Sequence, residues 1–337
     1  MSWRGARAPR RWAWVAVLPL ALISACSAQA SSEPRATLTA GVSSPTPSST
    51  PSAGPATPRA TAPLLGTTSS KSLSGPSVAV ALADTASVDS ADLVYEMTTE
   101  GGGSRLLAVF QSQHPESVAA VGPTRAGDRE TLKVLSPVVV FRGGAHRSVL
   151  LLQKSGLKTV NALSESGPFS PADGGLAVSI PQVVSGFATG VAAAQPVLSY
   201  APVGEPMTAK GSSKVRTLSI AVPGGSTQVW RWNATTSTWR RTSGPAATAT
   251  SVVVQVVPFD SQVISKGSSA ILIPRVIGTG RYTLVSGGSG VSGTWYKKSA
   301  ERVTNYAASD KSPVRLQPGR ARILLVPPGT SIRTAAS

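Results

Sequence analysis

The chain is poor in cysteine, histidine, aromatic residues and charge, and each shortage excludes something. Its 337 residues include one cysteine, Cys26, so no internal disulfide can form. The two histidines, His114 and His146, lie in no ligand-spaced cluster, which leaves metal catalysis without a site. Neither they nor Cys26 belong to a local nucleophile motif. A phosphate-loop lysine motif is missing, which argues against nucleotide hydrolysis, and no cofactor is implied. Aromatic residues at 5% and charged residues at 14% are low for a globular protein and predict that part of the chain is unfolded. The hydrophobic fraction of 41% still suffices for a core, and the length allows about two domains.

The unusual composition starts at the N-terminus. Arg4, Arg7, Arg10 and Arg11 precede an apolar run from Trp12 to Ser24 that is too short for a comfortable bilayer span, which takes about 20 residues. A basic start, a short apolar run and small residues at its end are the layout of a cleaved export signal. The run ends Ile23-Ser24-Ala25-Cys26, which resembles the lipobox of bacterial lipoproteins; the resemblance implies cleavage before Cys26 and a diacylglyceryl group on its thiol. Two acyl chains anchor stably where one does not. The alternative is an ordinary secretion signal that contains a cysteine.

From Ser27 to about Ser74 the chain is nearly all Ser, Thr, Pro, Ala and Gly, and it cannot bury enough apolar surface to offset its chain entropy. It reads as a Pro-stiffened tether, or as a glycosylated stalk. Charge then divides the remainder. Lys plus Arg against Asp plus Glu is 7 to 1 over residues 1–72, 8 to 10 over 73–204, and 17 to 4 over 205–337, giving +6, −2 and +13. The expected organisation is a signal at 1–25, a lipid-anchored tether at 26–74, folded domains at 75–204 and 205–330, and a disordered tail at 331–337.

The predicted fold class is α+β, with an α/β first domain and a mainly-β second one. In the first, residues 77–82, 105–111 and 137–141 are short runs of buried-strand type. Helical spacing marks 128–134, 148–154 (with Gly156 as a stop) and, more weakly, 181–194. In the second, nine short runs rich in Val, Ile, Thr, Trp and Tyr, separated by turns such as PGG and GGSG, suggest a sandwich or a partly closed barrel.

The segment DLVYEMTTEGGGSRLLAVFQ (92–111), followed by VGPTR (121–125), resembles the YerB-like bacterial lipoproteins, which are lipid-anchored, two-domain and without an assigned activity. GTWYKKSAERVTNY and PVRLQPGRARILLVPP resemble the end of that family's second domain. Glu96, Glu100, Gly101, Arg105, Gly122, Pro123 and Arg125 match the family pattern. The sequence departs from it in two places. Arg129 stands one residue away from the family's second arginine, and AVSIPQ lacks the histidine of the family's Pro-His-Asn stretch.

Two candidate sites follow. Glu96, Glu100, Arg105, Arg125, Arg129, Arg142 and His146 lie around glycines at predicted strand ends, where guanidinium forks suit phosphate or carboxylate and glycine permits close backbone approach. Glu96 and Glu100 also suit a divalent cation. The plainer reading is that these acids and arginines pair with one another across loops. The second candidate is a basic-aromatic surface made of Trp230, Arg231, Trp239, Arg240, Arg241, Trp295, Lys297 and Lys298. Against it, the tryptophans also suit core or cross-strand positions. Outside the cell a basic surface favours anionic lipid or phosphate-bearing wall polymer, and nucleic acid is not expected as a partner. The leading expectation is therefore an extracytoplasmic, membrane-anchored binding or scaffold protein. The alternative is an envelope-assembly phosphotransferase acting on polyprenyl-pyrophosphate-linked glycopolymers, suggested by a short resemblance to the LytR-CpsA-Psr enzymes around SRLLAVF and VGPTR.

Overall fold

Continuous apolar runs form the centre of an 11-stranded mixed sheet that takes strands from both halves of the sequence. The computed structural model describes residues 60–69, 73, 75–83, 86, 88–173, 175–263 and 270–336. The expected signal, Cys26 and most of the expected tether lie outside the described residues.

From one edge the sheet runs Ser213–Lys214, Ser289–Lys297, Gly278–Ser286, Ser251–Val256, Ala321–Val326, Leu93–Thr98, Ser104–Phe110, Val78–Ala83, Val138–Phe141 and Lys158–Asn161, with Asn305–Ala308 added alongside Ser289–Lys297. The joint between the halves is Ala321–Val326. It pairs parallel to Ser251–Val256 on one side and parallel to Leu93–Thr98 on the other. All six of its residues are buried, as a central parallel strand requires. The strands of the second half therefore do not close into a sandwich or barrel of their own, because half of them extend the sheet that the first half begins.

Alternation along the strands divides the core. One face of the large sheet, including Leu93, Leu107, Val139, Val253, Leu284, Ile323 and Trp295, forms a continuous cluster across both halves. On the opposite face, Val78, Val80, Leu106 and Phe110 pack with Ile180 and Val183. Val252, Val254, Leu324 and Val326 instead meet a second sheet of five strands, which contributes Leu218, Ile220, Trp230 and Trp239. That sheet is ordered Thr248–Ala249, Thr238–Arg241, Thr227–Asn233, Thr217–Ala221 and Ser331–Ala335.

The protein is mainly β, and its described helices are short: α1 (Asp128–Leu132, continued by a 3-10 turn at Lys133–Leu135), α2 (His146–Gln153) and α3 (Ile180–Phe187). They overlap the three helical segments expected in the first half. The longest expectation, 181–194, is cut to eight residues. Helix α3 starts where the Ser179 hydroxyl accepts the Gln182 amide and Pro181 occupies the first turn.

Two boundaries are corrected. Residues 331–337, expected as a disordered tail, carry the edge strand Ser331–Ala335, because Ile332 packs against the core and the backbone completes the ladder with Thr217–Ala221. The expected tether does not extend to residue 74. Ala60–Thr61 pairs with Thr68–Ser69, Leu64 is buried in the main cluster, and the Tyr200 hydroxyl donates to the Leu64 carbonyl.

Candidate functional site

The hairpin of Leu93–Thr98 and Ser104–Phe110 places Arg105 opposite Met97. Arg105 then reaches the start of α1, where its two terminal nitrogens meet the two carboxylate oxygens of Asp128, the second at 3.0 Å. The same guanidinium donates to the Pro123 carbonyl at 3.1 Å and contacts the Met97 sulfur at 3.6 Å. Asp128 also accepts the Thr124 hydroxyl at 3.0 Å and the Arg125 amide at 2.9 Å. A buried charge needs such partners, and here each supplies them for the other.

Arg125 faces Glu100 in a second forked pair, at 2.9 and 3.2 Å. Glu100 accepts the backbone amide of Leu272, and Arg125 donates to the Leu272 carbonyl at 3.4 Å. Leu272 belongs to a hairpin of the second half, Phe259–Val263 with Ala270–Pro274. The pair thus fastens that hairpin to the glycine loop of the first half. Partial burial favours the neutral acid at Glu100, but hydrogen bonds from Arg125 and from backbone amides outweigh it and hold the carboxyl below its ordinary value.

Glu96 lies apart from this group. It is buried at 2% exposure and accepts Arg241 at 3.0 and 3.2 Å, Arg322 at 2.7 Å and the Gln228 amide at 2.7 Å. Burial raises the cost of ionising Glu96, but the two guanidiniums overcome it, so the carboxyl stays below its usual range. Both arginines also lie over the Trp230 ring, at 5.7 and 5.9 Å.

The seven residues of the first candidate therefore do not converge on one opening. Arg105 and Arg125 are neighbours through Asp128, and each is held by a carboxylate. Arg129 pairs with the adjacent Glu130. The Arg142 loop lies against Gly122 and Thr124 through backbone bonds, while the Arg142 and His146 side chains are exposed. The basic-aromatic candidate is corrected more sharply. Trp230, Trp239 and Trp295 are fully buried, and Arg241 and Lys297 are buried as well, because strand alternation turns them inward. Only Arg231, Arg240 and Lys298 of that group are exposed.

Beside the Arg125–Glu100 fastening, a cleft of about 460 Å³ opens between the hairpin and helices α1 and α2. Leu151, Ile273, Pro274 and Ile277 give it an apolar wall, and Glu130, Arg147, Asp260, Gln262 and Arg275 supply polar groups. Its size and mixed lining suit a small amphipathic ligand. The hairpin side of this cleft was missed in sequence, since nothing local distinguishes Asp260 or Gln262. Arg322 and Gln228 were missed too, although a lone charge inside the buried run ARILLV is itself a sign of a buried partner. Among the described residues, no group of three or more His, Cys, Asp or Glu side chains is placed to hold a metal ion.

Two family matches follow the two halves. Residues 83–175 match the N-terminal domain, and 218–323 the C-terminal domain, of the protein of unknown function DUF3048. The fold is similar to the crystal structure of YerB protein from Bacillus subtilis, with a TM-score of 0.63 and 19% identity, over 81% of this chain and 99% of that one. No curated protein matches. The chain belongs to the YerB-like family, whose members share this pair of domains and have no assigned activity.

Proposed function

We propose that this protein is an extracytoplasmic lipoprotein, anchored through Cys26, that acts without catalysis as a binding or scaffold protein for anionic cell-envelope material. The observation that carries the binding half of this reading is the placement of charge in residues 205–336. Lys210, Lys214, Arg216, Arg231, Arg240, Arg275, Arg281, Lys298, Arg302, Lys311, Arg315 and Arg333 are all exposed, against the exposed acids Glu205, Asp260, Glu301 and Asp310. A surface field of one sign concentrates polyanions near the protein and is weakened by salt. The anchoring half rests on the sequence around Cys26. The phosphotransferase alternative requires Arg105 and Arg125 to receive a pyrophosphate, yet both guanidiniums are already engaged by Asp128 and Glu100.

Retention of the detergent-purified full chain on phosphate-bearing wall polymer, compared with a neutral polysaccharide at low and high salt, tests the binding. Salt-sensitive retention on the charged polymer is expected, and equal retention on both supports would end the reading. Mass spectrometry of the membrane fraction tests the anchor: an uncut, unmodified leader would remove it.

A further inference from the structure

The reading above leaves open where on the basic half a polyanion would lie, and the five-stranded sheet offers one place. We propose that the outward face of this sheet is the binding surface for a phosphodiester-linked polyol polymer of the envelope. This inference rests on the proposed function and narrows it to one surface and one ligand chemistry.

Register defines the face. Thr248, Arg240, Arg231, Thr217 and Ala335 are successive partners in one row across the sheet, and Val229, Ser219 and Arg333 are partners in a neighbouring row on the same side. The reverse side carries Leu218, Trp230 and Trp239 into the core, so these two rows face solvent. Arg231, Arg240 and Arg333 are exposed, and none of the five strands contains an acidic residue; one carboxylate, Asp89, reaches the end of the row, where it accepts the Thr248 amide and hydroxyl at 3.2 and 3.1 Å. Among the described residues, none of these three arginines has an ion-pair partner.

Arg231 and Arg240 are direct cross-strand partners, an arrangement in which like charges repel. A phosphate between the two guanidiniums would replace that repulsion with charge-assisted, forked hydrogen bonds. Strand geometry puts the α-carbons of this pair about 5 Å apart and places Arg333 about 12 Å from Arg231, so the cationic positions form a line rather than a single pocket. A linear polymer meets both positions in turn.

The remaining groups on the face favour a hydroxylated chain over a bilayer. Thr217, Ser219 and Thr238 lie on it with their hydroxyls, that of Thr238 paired with Thr236 at 2.8 Å, whereas the Thr248 hydroxyl is taken by Asp89; the largest aliphatic residue of the face, Val229, is half-buried. No aromatic residue projects from it that could enter a membrane interface.

The test uses the full chain with Arg231→Gln, Arg240→Gln and Arg333→Gln together. Its control is an equal-charge variant, Lys298→Gln, Arg302→Gln and Arg315→Gln, and both are checked for an unchanged melting temperature. Binding is measured to immobilised poly(glycerol phosphate) and to phosphatidylglycerol vesicles. The sheet variant is expected to bind the polymer at least about tenfold more weakly with a shallower salt dependence, and the control no more than about threefold more weakly. Equal weakening of both variants would overturn this inference and leave the broader charge-based reading standing. Loss on vesicles with polymer binding intact would also overturn it, in favour of a lipid surface. A parent chain that binds neither probe would sink both readings.

Discussion

Arg105 meets Asp128 with a forked grip between two buried side chains that are 23 positions apart in the sequence. An arginine that looked suited to an external anion is thus a structural joint between the Ser104–Phe110 strand and helix α1. Removing one partner leaves the other charged and buried, which costs about 3–5 kcal/mol. Asp128→Ala should therefore lower the urea midpoint substantially without changing the slope of the transition. The double variant Arg105→Met with Asp128→Leu should recover part of that loss. An Asp128→Ala protein as stable as the parent would contradict the joint.

Glu96 gives an acid-side prediction. Its folded pKa lies below the ordinary value of 4.5, so the stability that its charge contributes is complete above about that pH and is lost as pH falls through the folded value. Glu96→Gln should cost several kcal/mol at neutral pH, on the order expected for breaking a buried pair. The gap in melting temperature between parent and variant should narrow progressively below about pH 4.5 as the parent carboxyl takes up its proton. A gap of constant size down to pH 3 would show that the charge of Glu96 is not what holds Arg241 and Arg322.

These two joints also mark what the sequence made legible. The strands around Val78, Leu107 and Val139 were evident because their apolar runs are local, and α1 and α2 followed from spacing, with Gly156 as the stop of α2, whereas α3 was only weakly marked and ends at Phe187 rather than at the expected 194. Pairing across long separations leaves no such local trace. Glu96 stands 145 positions from Arg241 and 226 from Arg322, and the placement of Ala321–Val326 beside Leu93–Thr98 cannot be read from either run alone. The tryptophans take the core positions that stood as the alternative to a surface role: WRWN and TWRR interleave ring and charge, and alternation sends Trp230 and Trp239 inward while Arg231 and Arg240 face out.

Lys297 predicts behaviour on the alkaline side. It is buried at the end of its strand with its ammonium donating to the Glu130 carbonyl at 3.0 Å, and burial lowers its pKa to about 8 despite the nearby Glu130 and Glu301 carboxylates. The folded protein holds that proton less tightly than the unfolded chain does. The penalty is therefore full below about pH 8 and is relieved as pH rises from there toward 10.5, the ordinary lysine value. Stability of the parent measured relative to Lys297→Met should rise between pH 8 and 9.5. Parallel stability curves for the two proteins over that interval would exclude a buried, titrating amine.

The Glu100–Arg125 pair should act locally rather than globally. Both side chains are partly exposed, at 31% and 19%, which limits the pair to about 1 kcal/mol of global stability. Its structural effect is larger than that figure suggests, because Glu100 accepts the Leu272 amide and Arg125 donates to the Leu272 carbonyl, so both hold a two-stranded hairpin that forms one wall of the cleft. A two-stranded ribbon is marginal without such support. Glu100→Ala should speed amide hydrogen exchange across 259–263 and 270–274 several-fold, most of all at Leu272, while amides of Leu93–Thr98 and Ser104–Phe110 keep their protection. Uniformly faster exchange throughout the large sheet would show instead that the pair supports the whole fold, and unchanged exchange at Leu272 would show that the hairpin is held by other contacts.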